Sequence, residues 1–301
     1  SICRKAIVMD RISLQAYAKI NLGLDVLRKR EDGYHEVKMI MQNISLADTL
    51  ELRKVEQPGI RLRSQDDREI PSVPLDDTNL VYRAIRLLQE EYQLPGGVEA
   101  VLTKRIPVAA GMAGGSTDAA AALKGMNRLY ALGLSEQELC ERGVKLGADI
   151  PYCIMGGTAL SEGIGEKLTP LPAMPDCRIL IAKPPIDVST AFVYGHLKAA
   201  ELSEHPDIDG MVDAIKQQDL AGITERMGNV LETVTVPAYP VIETIKDQML
   251  EHGAVQALMS GSGPTVFGIF TEEAQAAEAG RAIEEAELSK QIYITRPITW
   301  N

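Results

Sequence analysis

The 301-residue sequence lacks the marks of several large protein classes. Its four cysteines, Cys3, Cys140, Cys153 and Cys177, form no C-x-x-C pair and no Cys/His cluster. They read as reduced thiols and not as a disulfide framework. No unbroken apolar run approaches the roughly 18 residues that a membrane helix requires. The opening residues, S-I-C-R-K-A-I-V-M-D, hold no apolar stretch of secretory length, and Met9 is an alternative start. The expected location is therefore the cytoplasm, with no membrane partner. Basic residues are the minority, 31 against 42 acidic, for a net charge of -11. That opposes a nucleic-acid-binding face, which needs positive charge to meet phosphates. It leaves room for a small anionic ligand, which feels local groups more than the total.

Common catalytic signatures are missing too. No Gly-Lys dipeptide occurs, so a Walker A loop is excluded. No G-x-G-x-x-G opens a helix, no H-E-x-x-H holds a zinc pair, and no G-x-S-x-G supplies a nucleophile elbow. No period of roughly 20–50 residues recurs, which excludes solenoids and propellers.

What remains is an ordinary globular composition, 45% hydrophobic and 24% charged. The length suits about two domains of roughly 150 residues, large enough to bury a core without disulfide or metal. Strand character is expected over 12–26, 45–52, 98–103, 178–182, 255–259, 265–270 and 292–295. Asp77 and Thr78 offer caps to a helix with Leu80, Ala84, Leu87 and Leu88 on one face. Ser135 with Glu138 forms a capping box, and a helix is expected over 189–200. Pro237 and Pro240 introduce a helix that Gly253 stops. The elements do not alternate steadily as βαβ units, which favours an α+β fold. The run P-L-P-A-M-P marks a boundary, dividing the chain into domains over 1–170 and 171–301.

Five features carry chemical meaning, each with a plainer structural alternative. In P-V-A-A-G-M-A-G-G-S-T-D, Gly111, Gly114 and Gly115 strip side chains from a loop. Ser116, Thr117 and Asp118 then start a helix, making a phosphate cradle or simply a capped Gly-rich turn. S-G-S-G-P at 260–264 reads as a tight hairpin turn. A-K-I-N puts Lys19 and Asn21 on one side of a strand, where a lysine is usually solvated. L-G-A-D-I-P places Asp149 before a proline turn, commonly a capping position. D-G-Y-H, at 32–35, reads as a turn at Gly33 with a partly exposed aromatic.

Taken together and in order, these features resemble the GHMP kinases over about residues 12–270. A-K-I-N-L, P-V-A-A-G-M-A-G-G-S-T and M-S-G-S-G-P-T-V-F match the three family motifs. R-E-D-G-Y-H-E-V, G-A-D-I-P and G-G-T-A-L-S-E-G-I-G-E are similar to the branch acting on a cytidine diphosphate-linked methylerythritol. Two departures stand out: Tyr17 where the family often has proline, and Thr117 where serine is more usual. Neither removes a chemical group the family needs.

The resemblance implies an N-terminal ribosomal S5 domain 2-like fold and a ferredoxin-like C-terminal domain. It implies an ATP-dependent kinase using Mg²⁺, whose ligands the sequence does not assign. Lys19 and Asp149 would be catalytic, Asp149 taking the hydroxyl proton and Lys19 lying beside it. Pro107, Val108, Ala109, Ala110, Gly111, Met112, Ala113, Gly114, Gly115, Ser116 and Thr117 would bind ATP. Asn21, Tyr34, His35, Thr190 and Tyr194 would bind the substrate, with Phe192 competing with Tyr194 to cover the base. Asn79 and Lys104 resemble positions near the adenine. A kinase of mevalonate or homoserine type, or a non-catalytic nucleotide or RNA binder, stays open at this point. So does the choice between monomer and homodimer.

Overall fold

The computed structural model describes residues 9–65 and 73–298, which leaves Cys3 outside the described residues. In chain order the first elements are β1 (Arg11–Lys29), β2 (His35–Val55), β3 (Gly59–Ser64), α1 (Leu80–Tyr92) and β4 (Gly97–Thr103). Then come α2 (Gly114–Leu129), α3 (Glu136–Gly143), α4 (Ile150–Met155), β5 (Thr158–Gly163), β6 (Lys167–Leu171) and β7 (Arg178–Lys183). The later helices are α5 (Thr190–His196), α6 (Ile208–Lys216) and α7 (Leu220–Glu225), followed by β8 (Gly228–Asn229). Finally come α8 (Glu232–Ala238), α9 (Val241–Glu251), β9 (Gln256–Met259), β10 (Val266–Phe270), α10 (Glu273–Glu285) and β11 (Gln291–Thr295). Strands and helices are mixed, as the α+β expectation requires.

Two compact units emerge. The first holds residues up to 16, 47–105 and 115–154; the second holds 17–46, 106–114 and 155 onward. In the first, β4 pairs antiparallel with the latter part of β2, Thr49 facing Thr103, and parallel with β3. Helix α1 buries Val81, Ala84, Ile85 and Leu88. Asn79 caps this helix, its Oδ1 accepting the Val81 N–H at 2.8 Å, in place of the expected Asp77 or Thr78. The capping box of Ser135 and Glu138 forms as expected. Helix α2 is packed with alanine, and a Cβ on Gly125 would lie 2.7 Å from Leu52 and 2.9 Å from Leu14. Only a glycine lets the helix come that close.

The second unit contains a four-stranded antiparallel sheet ordered β11-β7-β10-β9. With α9 and α10 packed on it, this is the strand order of a ferredoxin-like fold. Gly280 in α10 brings that helix close, a Cβ there lying 3.3 Å from Ile292. Elsewhere in this unit β1 runs parallel to β8, and the first part of β2 pairs with β5, which pairs with β6. Its core gathers Ile20, Leu22, Ile40, Ile179, Ile181, Phe267 and Ile269. Truncating a fully buried phenylalanine such as Phe267 to alanine costs about 3–5 kcal/mol.

Two further expectations change. The helix expected over 189–200 ends at His196, and a short 3₁₀ turn covers Ala199–Glu201. Pro237 lies inside α8 and Pro240 caps α9, so the pair separates two helices instead of opening one. Among the described residues no helix is long and apolar enough to cross a membrane.

Candidate active site

Residues 107–113 form an irregular loop leading into α2. The backbone φ is positive at every second residue: 53° at Ala109, 81° at Gly111 and 56° at Ala113. Alternating the sign of φ turns successive N–H groups toward one side, the backbone nest that receives anions. Holding two alanines in the left-handed region costs about 1 kcal/mol or more each, strain of the kind kept at functional loops. Ala110 and Met112 bury their side chains in the core of the second unit. What they offer a ligand is backbone.

The helix starts two residues earlier than expected, at Gly114 and not at Ser116. Gly114, Gly115 and Ser116 therefore carry N–H groups without an i→i−4 partner in the helix, at the positive end of the helix dipole. Gly115 is exposed and a Cβ there would meet only Leu80, at 3.8 Å. The glycine is not required for folding at that point. Thr117 is buried.

Lys19 is an interior residue of β1, 5% exposed, which removes its solvated-face reading. Its Nζ donates to Asn21 Oδ1 at 2.7 Å and to the Gly111 carbonyl at 3.1 Å, while its N–H donates to Met112 O at 3.2 Å. The Asn21 amide points to Met39 Sδ at 3.4 Å. The S-G-S-G-P turn links β9 to β10 as the hairpin reading expects, and it also reaches the loop. Ser260 Oγ donates to Gly111 O at 3.0 Å, and the Thr265 N–H to Ala110 O at 3.3 Å. All of these groups belong to the second unit.

The D-G-Y-H turn is built by its own backbone. The Arg30 N–H donates to Tyr34 O at 2.7 Å, Asp32 Oδ1 accepts the Tyr34 N–H, and Gly33 has φ 88°. Tyr34 is left 59% exposed. The His35 ring lies 5.1 Å from that of Tyr194, tilted by 51°. Its Nε2 is buried without a hydrogen-bond partner among the described residues. Burial lowers the imidazole pKa, and the charge on Lys29 lowers it further. His35 is therefore neutral at pH 7, with one ring N–H to donate and one nitrogen to accept. On α5, Thr190 and Tyr194 share one face at i,i+4, and Thr190 Oγ1 is 2.9 Å from Ser262 Oγ. Phe192 instead stacks on His196 of its own helix, with centroids 4.1 Å apart. Helical spacing thus sends Tyr194 to His35 and Phe192 to His196.

Asp149 belongs to the first unit, half-buried just before α4, where its carbonyl accepts the Cys153 N–H at 3.1 Å. Lys19 lies in the second. Lys104, in the first unit, has its ammonium wholly engaged by acids. It bonds Asp48 Oδ2 at 2.5 Å and Asp118 Oδ2 at 3.0 Å, all three side chains being buried. Burial, with Asp48 nearby, pushes the Asp118 carboxyl well above its ordinary value despite the pull of Lys104. Burial works to lower the Lys104 pKa, but Asp118 and Asp48 outweigh it and the net shift is upward. Asn79 spends its side chain on the α1 cap and on Pro74 O. Cys140, Cys153 and Cys177 form no disulfide among the described residues. Burial pushes Cys140 up to about 11 and Cys177 to about 12, so neither is a nucleophile.

Sequence reasoning passed over two groups near this site. Asn229 grips Met259 O and Gly261 O at 2.9 and 2.8 Å, holding the S-G-S-G-P turn, and no sequence signal marks it. Ser260 stood inside a recognised motif, but a turn reading gives its hydroxyl nothing to do.

Comparison with known proteins bears on all of this. The GHMP kinases N terminal domain matches residues 79–157, and the GHMP kinases C terminal domain matches 211–289. A 4-diphosphocytidyl-2-C-methyl-D-erythritol kinase from Lachnospira eligens is 53% identical over 97% of this chain and 100% of its own. One from Geobacillus kaustophilus is also 53% identical, covering 88% of this chain and 90% of its own. The crystal structure of a 4-(cytidine 5'-diphospho)-2C-methyl-D-erythritol kinase superposes with a TM-score of 0.81 at 30% identity, over 96% of this chain and 100% of that one. A homoserine kinase from Cytophaga hutchinsonii reaches 0.77 at 20% identity over 99% and 98% of the two chains, a likeness of fold.

Proposed function

Because this chain belongs to the GHMP kinases, and within them to the 4-diphosphocytidyl-2-C-methyl-D-erythritol kinases, we propose that it phosphorylates the 2-hydroxyl of 4-diphosphocytidyl-2-C-methyl-D-erythritol. The step is one of non-mevalonate isoprenoid synthesis. The chain is an ATP-dependent small-molecule kinase, and phosphoryl transfer asks such an enzyme for positioning and charge neutralisation above all.

The observation that carries the substrate reading is the unpartnered Nε2 of a neutral His35, packed against Tyr194 beside an exposed Tyr34. A cytosine edge supplies the complementary donors and acceptors, and Tyr34 offers a flat face to its ring. Residues 107–117 would hold the ATP phosphates through the nest and the first turn of α2. Asp149 would accept the proton of the 2-hydroxyl as phosphorus is attacked. The Lys19 ammonium, held by Asn21 and Gly111, would offset charge developing on the attacking oxygen. Thr190 and Tyr194 would close the base pocket.

Mg²⁺ is part of the proposal. Among the described residues no three His, Cys, Asp or Glu side chains gather into a metal site. Ser116, in the first turn of α2, would add its hydroxyl to an ion otherwise held by the ATP phosphates and water. Such an ion supplies neutralisation of the phosphate charge.

The matched family regions fall on either side of residue 170, which supports a nucleotide-binding domain over 1–170 and a second domain over 171–301. We place the enzyme in the cytoplasm as a monomer or homodimer, without nucleic-acid or membrane partners. A mevalonate or homoserine kinase shares the fold but gives no use to the orphan imidazole. An RNA binder conflicts with the net charge of -11. Coupled ADP release measured with the cytidyl alcohol, mevalonate and homoserine separates these readings. Turnover of the cytidyl alcohol alone supports the proposal, and preference for either of the others overturns it.

A further inference from the structure

The carbonyl oxygen of Gly111 serves two side chains at once. Lys19 Nζ donates to it at 3.1 Å and Ser260 Oγ at 3.0 Å. A carbonyl has two lone pairs, so neither bond displaces the other. Ser260 is fully buried and its backbone is fixed at both ends. Its N–H donates to Thr265 O at 2.9 Å, and its carbonyl accepts the Gly263 N–H at 3.0 Å. The two loops meet at glycine-only separations. A Cβ on Gly111 would lie 2.3 Å from Ser260 O, and one on Gly261 would lie 2.9 Å from Gly111 O. The turn completes its backbone bonds without the Ser260 hydroxyl. That hydroxyl is spent on the carbonyl that also holds an ammonium.

We propose that Ser260 is a positioning residue for phosphoryl transfer, setting where the Lys19 ammonium stands by holding the Gly111 carbonyl. The inference rests on the role given to Lys19 above. Without the hydroxyl, one lone pair of a half-buried carbonyl is unmet. Lys19 is the other side-chain donor to that oxygen, so the carbonyl and the ammonium it holds both shift when the serine hydroxyl is lost. Catalysis is sensitive to shifts of about 1 Å.

The test is a double-mutant cycle of Ser260→Ala with Lys19→Met, read by coupled ADP release with the cytidyl alcohol at high enzyme concentration. Ser260→Ala is expected to lower kcat about 10–100-fold and to leave both KM values within about twofold. In the Lys19→Met background the same change should move kcat by less than about twofold, because the group it positions is gone. Ser260→Thr, which restores a hydroxyl, should regain most of the rate. If Ser260→Ala does not fold, Ser260→Cys, a near-isostere with a weak donor, takes its place in the cycle. A lowered Tm with unchanged kcat overturns the inference, as does the same loss of rate in both backgrounds. A fully active Lys19→Met enzyme overturns the role of Lys19 itself, which is a separate failure.

Discussion

The imidazole of His35 and the phenol of Tyr194 lie 5.1 Å apart, tilted by 51°, one at the start of a strand and the other on a short helix. Beside this contact His35 Nε2 is buried and has no hydrogen-bond partner among the described residues. In the proposed base site this nitrogen accepts a hydrogen bond only while the ring is neutral.

Burial and Lys29 hold the His35 pKa below its ordinary value of 6.5. Affinity for the cytidyl alcohol should therefore be flat above about pH 6.5 and fall at lower pH, as the ring is protonated and loses its acceptor. The unfolded chain takes up this proton at higher pH than the native one, so the same group lowers stability as pH falls below about 6.5. Substrate titrations from pH 5 to 8 by calorimetry check this. Affinity that rises on acidification contradicts it.

Tyr34 is exposed before any base arrives, so removing it leaves the fold untouched. Tyr34→Ala should weaken binding of the cytidyl alcohol by about 1–3 kcal/mol, the range for a stacked base, with little change for ATP. An equal loss for both ligands removes Tyr34 from the pocket.

The D-G-Y-H turn was legible in the sequence, because it is local and its geometry follows from Asp32 and Gly33. Lys19 was legible as a motif residue but not as a buried one, since a lone lysine in a strand pattern usually faces water. That Tyr194 meets His35 while Phe192 meets His196 depends on a partner far away in the chain. The start of α2 was misplaced because serine is a strong cap and Gly114 is a poor helix former. The carbonyls of the preceding loop, at Ala110, Gly111 and Met112, are taken by distant donors. Contacts of that range leave no local trace, and the same holds for Asn229 and Asp48.

Gly115 separates folding from binding. It is helical and exposed with room for a Cβ, so Gly115→Ala should keep or slightly raise stability, by up to about 1 kcal/mol. Gly115→Val should fold as well but lose ATP affinity, because its side chain stands where backbone meets phosphate. Calorimetric ATP titration beside a thermal melt reads both. Unchanged ATP binding by Gly115→Val returns the segment to a packing role.

Asp48, Lys104 and Asp118 put two carboxylates on one buried ammonium. Lys104→Met should destabilise the protein by about 3–5 kcal/mol, since it strands buried acids. Asp118→Asn, which removes the surplus charge and keeps the shape, should cost far less. Urea denaturation of both variants decides the matter, and equal losses contradict the charge argument.

In the proposed reaction Asp149 takes the proton of the attacking hydroxyl. At the start of α4 its plainer role is a cap or turn, and asparagine serves there nearly as well. An amide cannot accept the proton. Steady-state ADP release by Asp149→Asn, with the variant shown folded by its melting curve, is the most direct test. The variant's kcat should be lower by about 10²–10⁴-fold with the ATP KM little changed. An Asp149→Asn enzyme with full kcat would contradict it.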